Sequence, residues 1–225
     1  MDDKNVTLET LDECLSQLEI INIGTLAYRP TLLWLSRVLA SFKPGRPVTI
    51  FDIGCGGGDM LRKIAGWAAR KGIAVDLVGI DINPLAKRVA EKHTPKTAPI
   101  RYETADIYTL GPDRRADFII SSLFTHHLDD AELRRFIGWM DAHAEQGWLS
   151  NDLHRHPVAY YGIKYILAFM PFAHPIVRND APVSVARAFT KEEWCTQLKD
   201  AGIPERQTTI EWHVPFRYSV ARQKI

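Results

Sequence analysis

Hydrophobic positions along the chain follow two alternating periods, and the alternation predicts an α/β fold. Short apolar runs of strand length occupy residues 48–53, 74–80, 100–105 and 116–122, and a fifth occupies 147–153. Between them apolar residues recur at helical spacing, as in Met60, Leu61, Ile64, Trp67 and Ala68, and again in Leu133, Phe136, Ile137 and Met140. Read this way, residues 47–153 form four β-α units and a fifth strand. Ahead of them, Leu8, Leu11, Leu15, Leu18 and Ile21 mark one helix, broken around Asn22 to Thr25. Leu32, Leu33, Leu35, Val38 and Leu39 mark a second helix, which stops at Pro44-Gly45. Behind the core the alternation fails. Tyr160, Tyr161, Tyr165, Phe169 and Phe172 belong to an aromatic, helix-like run between Pro157 and Pro171, and residues 178–184 read as a loop. Thr190 and Glu193 have capping-box spacing for a last helix, and residues 208–213 and 217–221 have strand composition. The predicted organisation is one domain: an N-terminal helical extension (1–46), a core (47–153), an insertion (154–189), and a last helix with a terminal hairpin (190–225).

The turn after the first strand concentrates the candidate chemistry. Asp52-Ile53-Gly54-Cys55-Gly56-Gly57-Gly58-Asp59 joins a buried strand to a helix, where α/β sheets take the polar part of a cofactor. A dinucleotide fingerprint would place a third glycine three positions after Gly56, and that position is Asp59. A pyrophosphate at this helix N-terminus would meet a carboxylate, which is unfavourable. No Gly-Lys-Ser/Thr follows, so a Walker loop is excluded too. Carboxylates at both ends of the turn suit a ligand with a positive or amphoteric head, such as an amino acid carrying a sulfonium.

This stretch resembles motif I of the class I S-adenosylmethionine-dependent methyltransferases, and further matches follow in order. Asp81 ends the second strand, where a carboxylate can accept both hydroxyls of a ribose, and Ile82 follows to pack on an adenine. Asp106-Ile107 is similar to the family's adenine contact, with the carboxylate taking the exocyclic amine and the Ile107 N–H a ring nitrogen. The fourth strand leads from Ser121-Ser122 into Leu123-Phe124-Thr125-His126-His127-Leu128. The resemblance implies a Rossmann-like, seven-stranded, mostly parallel sheet with an antiparallel last strand and helices on both faces. It implies S-adenosylmethionine as cofactor, with Asp52, Gly54, Gly56, Asp59, Asp81, Ile82, Asp106, Ile107 and Ser121 around it. It also implies an N-terminal extension that covers the site, with Tyr28 and Arg29 as candidates to face it. The stretch from Ser121 to Asp129 looks like the small-molecule branch acting on quinones, phenols and polyketides, an association with secondary metabolism. A nucleic-acid amino methylase of this family would carry Asn/Asp-Pro-Pro-Tyr/Phe where Ser121-Ser122-Leu123-Phe124 stands, and a protein-arginine enzyme would carry a pair of glutamates there.

Composition narrows the partners. Hydrophobic residues make up 46% and charged residues 24%, with a formal net charge of +1, so the surface is not built to neutralise many phosphates and no nucleic-acid partner is expected. Cys14, Cys55 and Cys195 are odd in number and lack Cys-x-x-Cys spacing, and Met1-Asp2-Asp3-Lys4 carries no apolar signal; a cytoplasmic location is expected. The aromatic run is too short and interrupted for membrane insertion. It reads as a substrate lid, with a helix merely packed on the core as the plainer alternative, and a homo-oligomer stays open.

A base helps methyl transfer only when the nucleophile must lose a proton, as a phenol, an enol or an activated ring carbon must. His126 and His127 follow strand four, and His154 and His156 follow strand five, both at the carboxyl edge of the sheet. His127 and His154 rank first as base, then His126; a plain backbone or water contact is the alternative for each. His154-x-His156 with Asp152 has metal-compatible spacing, but no carboxylate-rich pattern accompanies it and no metal is expected. The expected function is methylation, with oxygen favoured over carbon, of a small, largely apolar hydroxylated or quinone/polyketide-type substrate. The rivals are a non-catalytic cofactor-binding scaffold or partner subunit, and a nucleic-acid or protein methylase.

Overall fold

The apolar run Val48–Ile53 forms β1, with β2 (Val75–Asp81) and β4 (Ala116–Ser122) parallel on its two sides. β3 (Ile100–Thr104) lies beyond β2 and β5 (Ala144–Leu153) beyond β4, also parallel. β7 (Arg217–Gln223) pairs antiparallel with β5, and β6 (Thr208–His213) antiparallel with β7. The sheet order is therefore β3-β2-β1-β4-β5-β7-β6, with only β7 running against the rest. This is the expected Rossmann-like sheet. The computed structural model describes residues 6–170 and 172–224; the Met1-Asp2-Asp3-Lys4 terminus and Pro171 lie outside the described residues.

The central strands read as continuous apolar runs because both faces are covered. Ile50, Leu77, Phe118, Ile120 and Leu149 pack into one core with α2 (Arg29–Ser41) and α3 (Asp59–Lys71). Their neighbours Phe51, Val78, Ile119 and Trp148 point the other way, into a second core with α5 (Asp130–His143) and α8 (Lys191–Asp200). Local signals set the helix starts. Asn83 caps α4 (Pro84–His93), accepting from the Leu85 N–H, and capping boxes begin α5 (Asp129 with Glu132) and α8 (Thr190 with Glu193).

α1 (Leu8–Gly24) ends within the expected break, with Thr25 as its C-cap. Three local expectations change. The β3–β4 connection holds a 3₁₀ turn, Ile107–Thr109, in place of a helix; the Asp106 carboxylate accepts the Tyr108 N–H at its start, and Gly111-Pro112 follows soon after. β5 begins at Ala144 rather than 147. The stretch 178–184 is helical, within α7 (Pro175–Arg187), although Pro182 lies inside it. A proline there removes one helical hydrogen bond, and burial of Val177, Pro182 and Val185 offsets the loss. A third, smaller cluster of Cys14, Leu167, Ala173 and Val177 joins α1, α6 (Pro157–Ala168) and α7. Among the described residues no helix is long and apolar enough to cross a membrane.

Candidate functional site

A cavity of about 640 Å³ lies between the carboxyl ends of the strands and the helices α1, α6 and α7. Its floor is the turn after β1. Gly54 has φ +70°, and a Cβ there would sit 2.5 Å from Cδ2 of Phe124, so only glycine lets the backbone line the cavity at this point. Asp81, at the tip of β2, braces the turn: its Oδ2 accepts the Gly56 N–H at 2.9 Å and its Oδ1 the Asn83 N–H at 2.9 Å. Asp59 opens α3 and accepts from the Tyr28 hydroxyl at 2.6 Å and from Asn22 Nδ2 at 3.2 Å, which ties the N-terminal helices to the turn. Asp52 is buried on β1; burial first, and then the charges of Asp59 and Asp81, push its carboxyl well above the usual carboxylate range. Three carboxylates around one glycine turn make a site that a cationic group would relieve. Ile82, 71% exposed, and the consecutive pair Asp106 and Ile107 line the same cavity beyond Asp81.

The four histidines separate. His126 and His127 both line the cavity, with ring centroids 4.3 Å apart. His126 is buried, and its Nδ1 lies 2.7 Å from Asp152 Oδ1, so Nδ1–H donates to the carboxylate and Nε2 is the nitrogen left for a ligand. Parallel pairing brings this about, because β4 and β5 run side by side to Ser122 and Asn151, and the next residues of each strand meet. Asp152 accepts four hydrogen bonds: Oδ1 from His126 Nδ1 and the Leu153 N–H, Oδ2 from the Thr125 hydroxyl and the His126 N–H. Burial would raise its pKa, but the charge and hydrogen bond of His126, with those of Thr125 and Leu153, lower it from 3.8 to about 2. A carboxyl depressed in the fold stabilises it above its unfolded value and loses that contribution as pH falls through the folded one. Unfolding free energy should therefore drop by about 2 kcal/mol more in the wild type than in Asp152→Asn between pH 4 and pH 2. Parallel pH profiles of the two proteins in denaturant titrations would contradict this.

His154 is absent from the cavity lining. Its Nδ1 accepts from Trp212 Nε1 at 3.3 Å and its ring packs on Tyr218, so the ring is held against the β6–β7 hairpin. Ser121 also lies off the cavity: it is buried within β4 and its hydroxyl donates to the Ile53 carbonyl at 2.9 Å, joining β4 to β1. Tyr28 reaches the cavity, whereas Arg29 points into a separate groove on α2. The His154-x-His156 spacing does not converge on Asp152. His156 Nδ1 accepts the Val158 N–H as the cap of α6, and Asp152 is engaged by His126. Among the described residues no group of three or more His, Cys, Asp or Glu is arranged to hold a metal ion. The insertion also differs from an aromatic wall. Tyr161, Tyr165, Phe169 and Phe172 are each at least two-thirds exposed, while Val158, Gly162, Ile163 and Ile166 of α6 line the cavity. Helical spacing turns the aromatic residues outward and the smaller aliphatic ones inward.

Two features had no sequence signal singled out for them: Asp152 as the partner of His126, and Arg217, which reaches the cavity from β7. A carboxylate ending the strand beside the one before His126 is the pattern that could have found the first.

Residues 50–147 match the family described as a methyltransferase domain. The ubiquinone biosynthesis O-methyltransferase of Methylobacterium sp. (strain 4-46) is 26% identical over 191 residues, covering 80% of this chain and 70% of that protein. Magnesium protoporphyrin IX methyltransferase from Synechocystis PCC 6803, solved with bound SAH, superposes with a TM-score of 0.60 at 15% identity, over 99% of this chain and 90% of that one. Plantazolicin methyltransferase in complex with SAH gives 0.66 at 16% identity, over 97% and 98%. At these identities the structural likeness speaks for the fold. Motif order, sheet topology and the methyltransferase-domain match over residues 50–147 together agree with the resemblance to the class I S-adenosylmethionine-dependent methyltransferases.

Proposed function

We propose that the protein methylates a small, largely apolar acceptor at an oxygen that must first lose a proton. The Asp152–His126 pair on the wall of the cavity that holds the glycine turn carries this reading. The cofactor, when bound, supplies an electrophilic methyl group on a sulfonium. The chain has to align the acceptor, exclude water and take a proton. Asp52 and Asp59 flank the cationic head, with Gly54 and Gly56 presenting backbone. Asp81 accepts the ribose hydroxyls, Asp106 the adenine amine, and Ile82 and Ile107 cover the ring. Nε2 of His126 takes the proton released by the acceptor's hydroxyl, and Asp152 positions the ring and balances its charge. His127, exposed on the rim, is the second candidate for the base, and the outward placement of His154 withdraws it. Val158, Ile163 and Ile166 give the acceptor side an aliphatic wall, in keeping with an apolar substrate under a lid. The named activity of the Methylobacterium relative supports oxygen as the acceptor atom.

Calorimetric titration with S-adenosylmethionine and S-adenosylhomocysteine, followed by labelled methyl transfer to a panel of catechols and hydroquinones, tests the reading. Micromolar binding of both nucleosides and transfer to hydroxyl oxygen are expected. A folded protein that binds neither would sink the proposal. Because burial and the charges of Asp59 and Asp81 raise the Asp52 carboxyl and a cationic head would lower it again, binding should release protons over the range in which Asp52 titrates, and affinity should rise with pH there. The binding enthalpy should then differ between phosphate and Tris buffers by their ionisation heats. Equal enthalpies would remove Asp52 from the neighbourhood of the cationic head.

A further inference from the structure

Arg217 begins β7 and is 3% exposed, yet among the described residues no carboxylate forms a salt bridge with it. Its Nη2 donates to the Thr25 hydroxyl oxygen at 3.0 Å, while Nε and Nη1 are buried without a partner. Other arginines of the fold that are less buried have one: Arg222 pairs with Asp141, Arg46 with Asp117 and Arg62 with Glu19. Asp152, whose charge acts on Arg217, does not pair with it, because its four accepted hydrogen bonds use its lone-pair capacity. Burial lowers the pKa of Arg217 to about 10, so it stays cationic at neutral pH. A buried charge left unpaired is strongly unfavourable, and this one lines the cavity.

We infer that Arg217 receives a carboxylate of the methyl acceptor, so that the substrate is a hydroxylated organic acid with an apolar body. The inference rests on the methyl-transfer reading of the same cavity. A guanidinium with free N–H groups on two nitrogens is suited to a carboxylate. Its place favours the acceptor over the cofactor's own carboxylate. Arg217 pairs in register with Leu153 at the end of β5, beside His126 and Asp152, and β4 and β5 lie between it and the glycine turn of β1. An acid anchored there would hold its hydroxyl near the base.

The test uses the full-length protein and Arg217→Gln, with Arg217→Lys as a charge-conserving control. In the first arm, S-adenosylhomocysteine and 5′-methylthioadenosine, which lacks the amino-acid carboxylate, are titrated calorimetrically into each protein. Both affinities should stay within about twofold in Arg217→Gln. A tenfold loss confined to S-adenosylhomocysteine would assign Arg217 to the cofactor and overturn the inference. In the second arm, protein saturated with S-adenosylhomocysteine is titrated with 3,4-dihydroxybenzoate, 3,4-dihydroxycinnamate and decanoate, each against its neutral amide. At least one acid should bind about ten- to a hundredfold more tightly than its amide, the range expected of charge-assisted hydrogen bonds. That preference should vanish in Arg217→Gln and partly return in Arg217→Lys. A wild type that prefers no acid over its amide, or a preference that survives in Arg217→Gln, overturns the inference. Thermal unfolding of ligand-free Arg217→Met separates a structural role, since loss of an unpaired buried charge should leave stability equal or higher. A melting temperature lowered by more than several degrees would mean that Arg217 serves the fold and would overturn the assignment. Failure of either variant to bind acids leaves cofactor binding intact, so this outcome and failure of the methyl-transfer reading are distinguishable.

Discussion

Replacing His126 by alanine is expected to lower kcat for methyl transfer by about 10²- to 10⁴-fold, the usual contribution of a positioned general base. Cofactor affinity should stay within about twofold, because the ring stands on the β4–β5 side of the cavity, bonded to Asp152 rather than to the turn after β1. Asp152→Asn should reproduce part of the loss. An amide in place of the carboxylate can present N–H where Nδ1–H now donates, which disfavours the tautomer with its lone pair on Nε2. His127→Ala serves as the comparison and should change kcat only a few-fold, since that ring is exposed on the rim. Single-turnover rates on one catechol acceptor settle the matter: a His126→Ala enzyme within threefold of wild type would leave the base elsewhere. An acceptor already ionised at the assay pH should narrow the gap, because no proton then has to be taken.

Asp81→Ala should weaken S-adenosylmethionine binding by about a hundredfold, near 3 kcal/mol, because hydrogen bonds to a charged acceptor contribute about 1.5–3 kcal/mol each. 5′-Methylthioadenosine keeps the ribose and should lose as much, which distinguishes a ribose contact from one to the amino-acid end. The same carboxylate braces the Gly56 and Asn83 N–H groups, so part of the loss comes from a loosened turn. Asp81→Asn preserves one acceptor and should fall between the two. Calorimetry that finds unchanged affinity in Asp81→Ala would falsify the ribose assignment.

The regular elements were largely legible because their signals are local. The capping boxes at Asp129 and Thr190 require only three-residue spacing, and the two-sided apolar run at β1 already announces a strand covered on both faces. Where expectation and fold diverged, nonlocal packing decided. Pro182 argues against a helix locally, yet burial of Val177 and Val185 carries α7 through it. The aromatic run in α6 suggested a pocket wall, but Ile163 and Leu167 turn toward the cluster with Cys14 and Val177, and that docking leaves Tyr161 and Tyr165 on the outer face.

For this protein, the sequence by itself determined the order of strands and helices, the glycine turn with its flanking acids, and the succession of Asp81, Asp106-Ile107 and the histidine pair after β4. All of these are set by short-range pattern and by spacing along the chain. Only the tertiary structure decided which histidine meets a carboxylate, that Ser121 is spent on an Ile53 carbonyl, and that Arg217 reaches the cavity with two nitrogens unpaired. Each of those depends on two segments far apart in sequence being brought within hydrogen-bond distance, or kept from it, by strand register. His126 meets Asp152 across 26 residues and Arg217 meets Thr25 across 192, separations at which residue order carries no distance information.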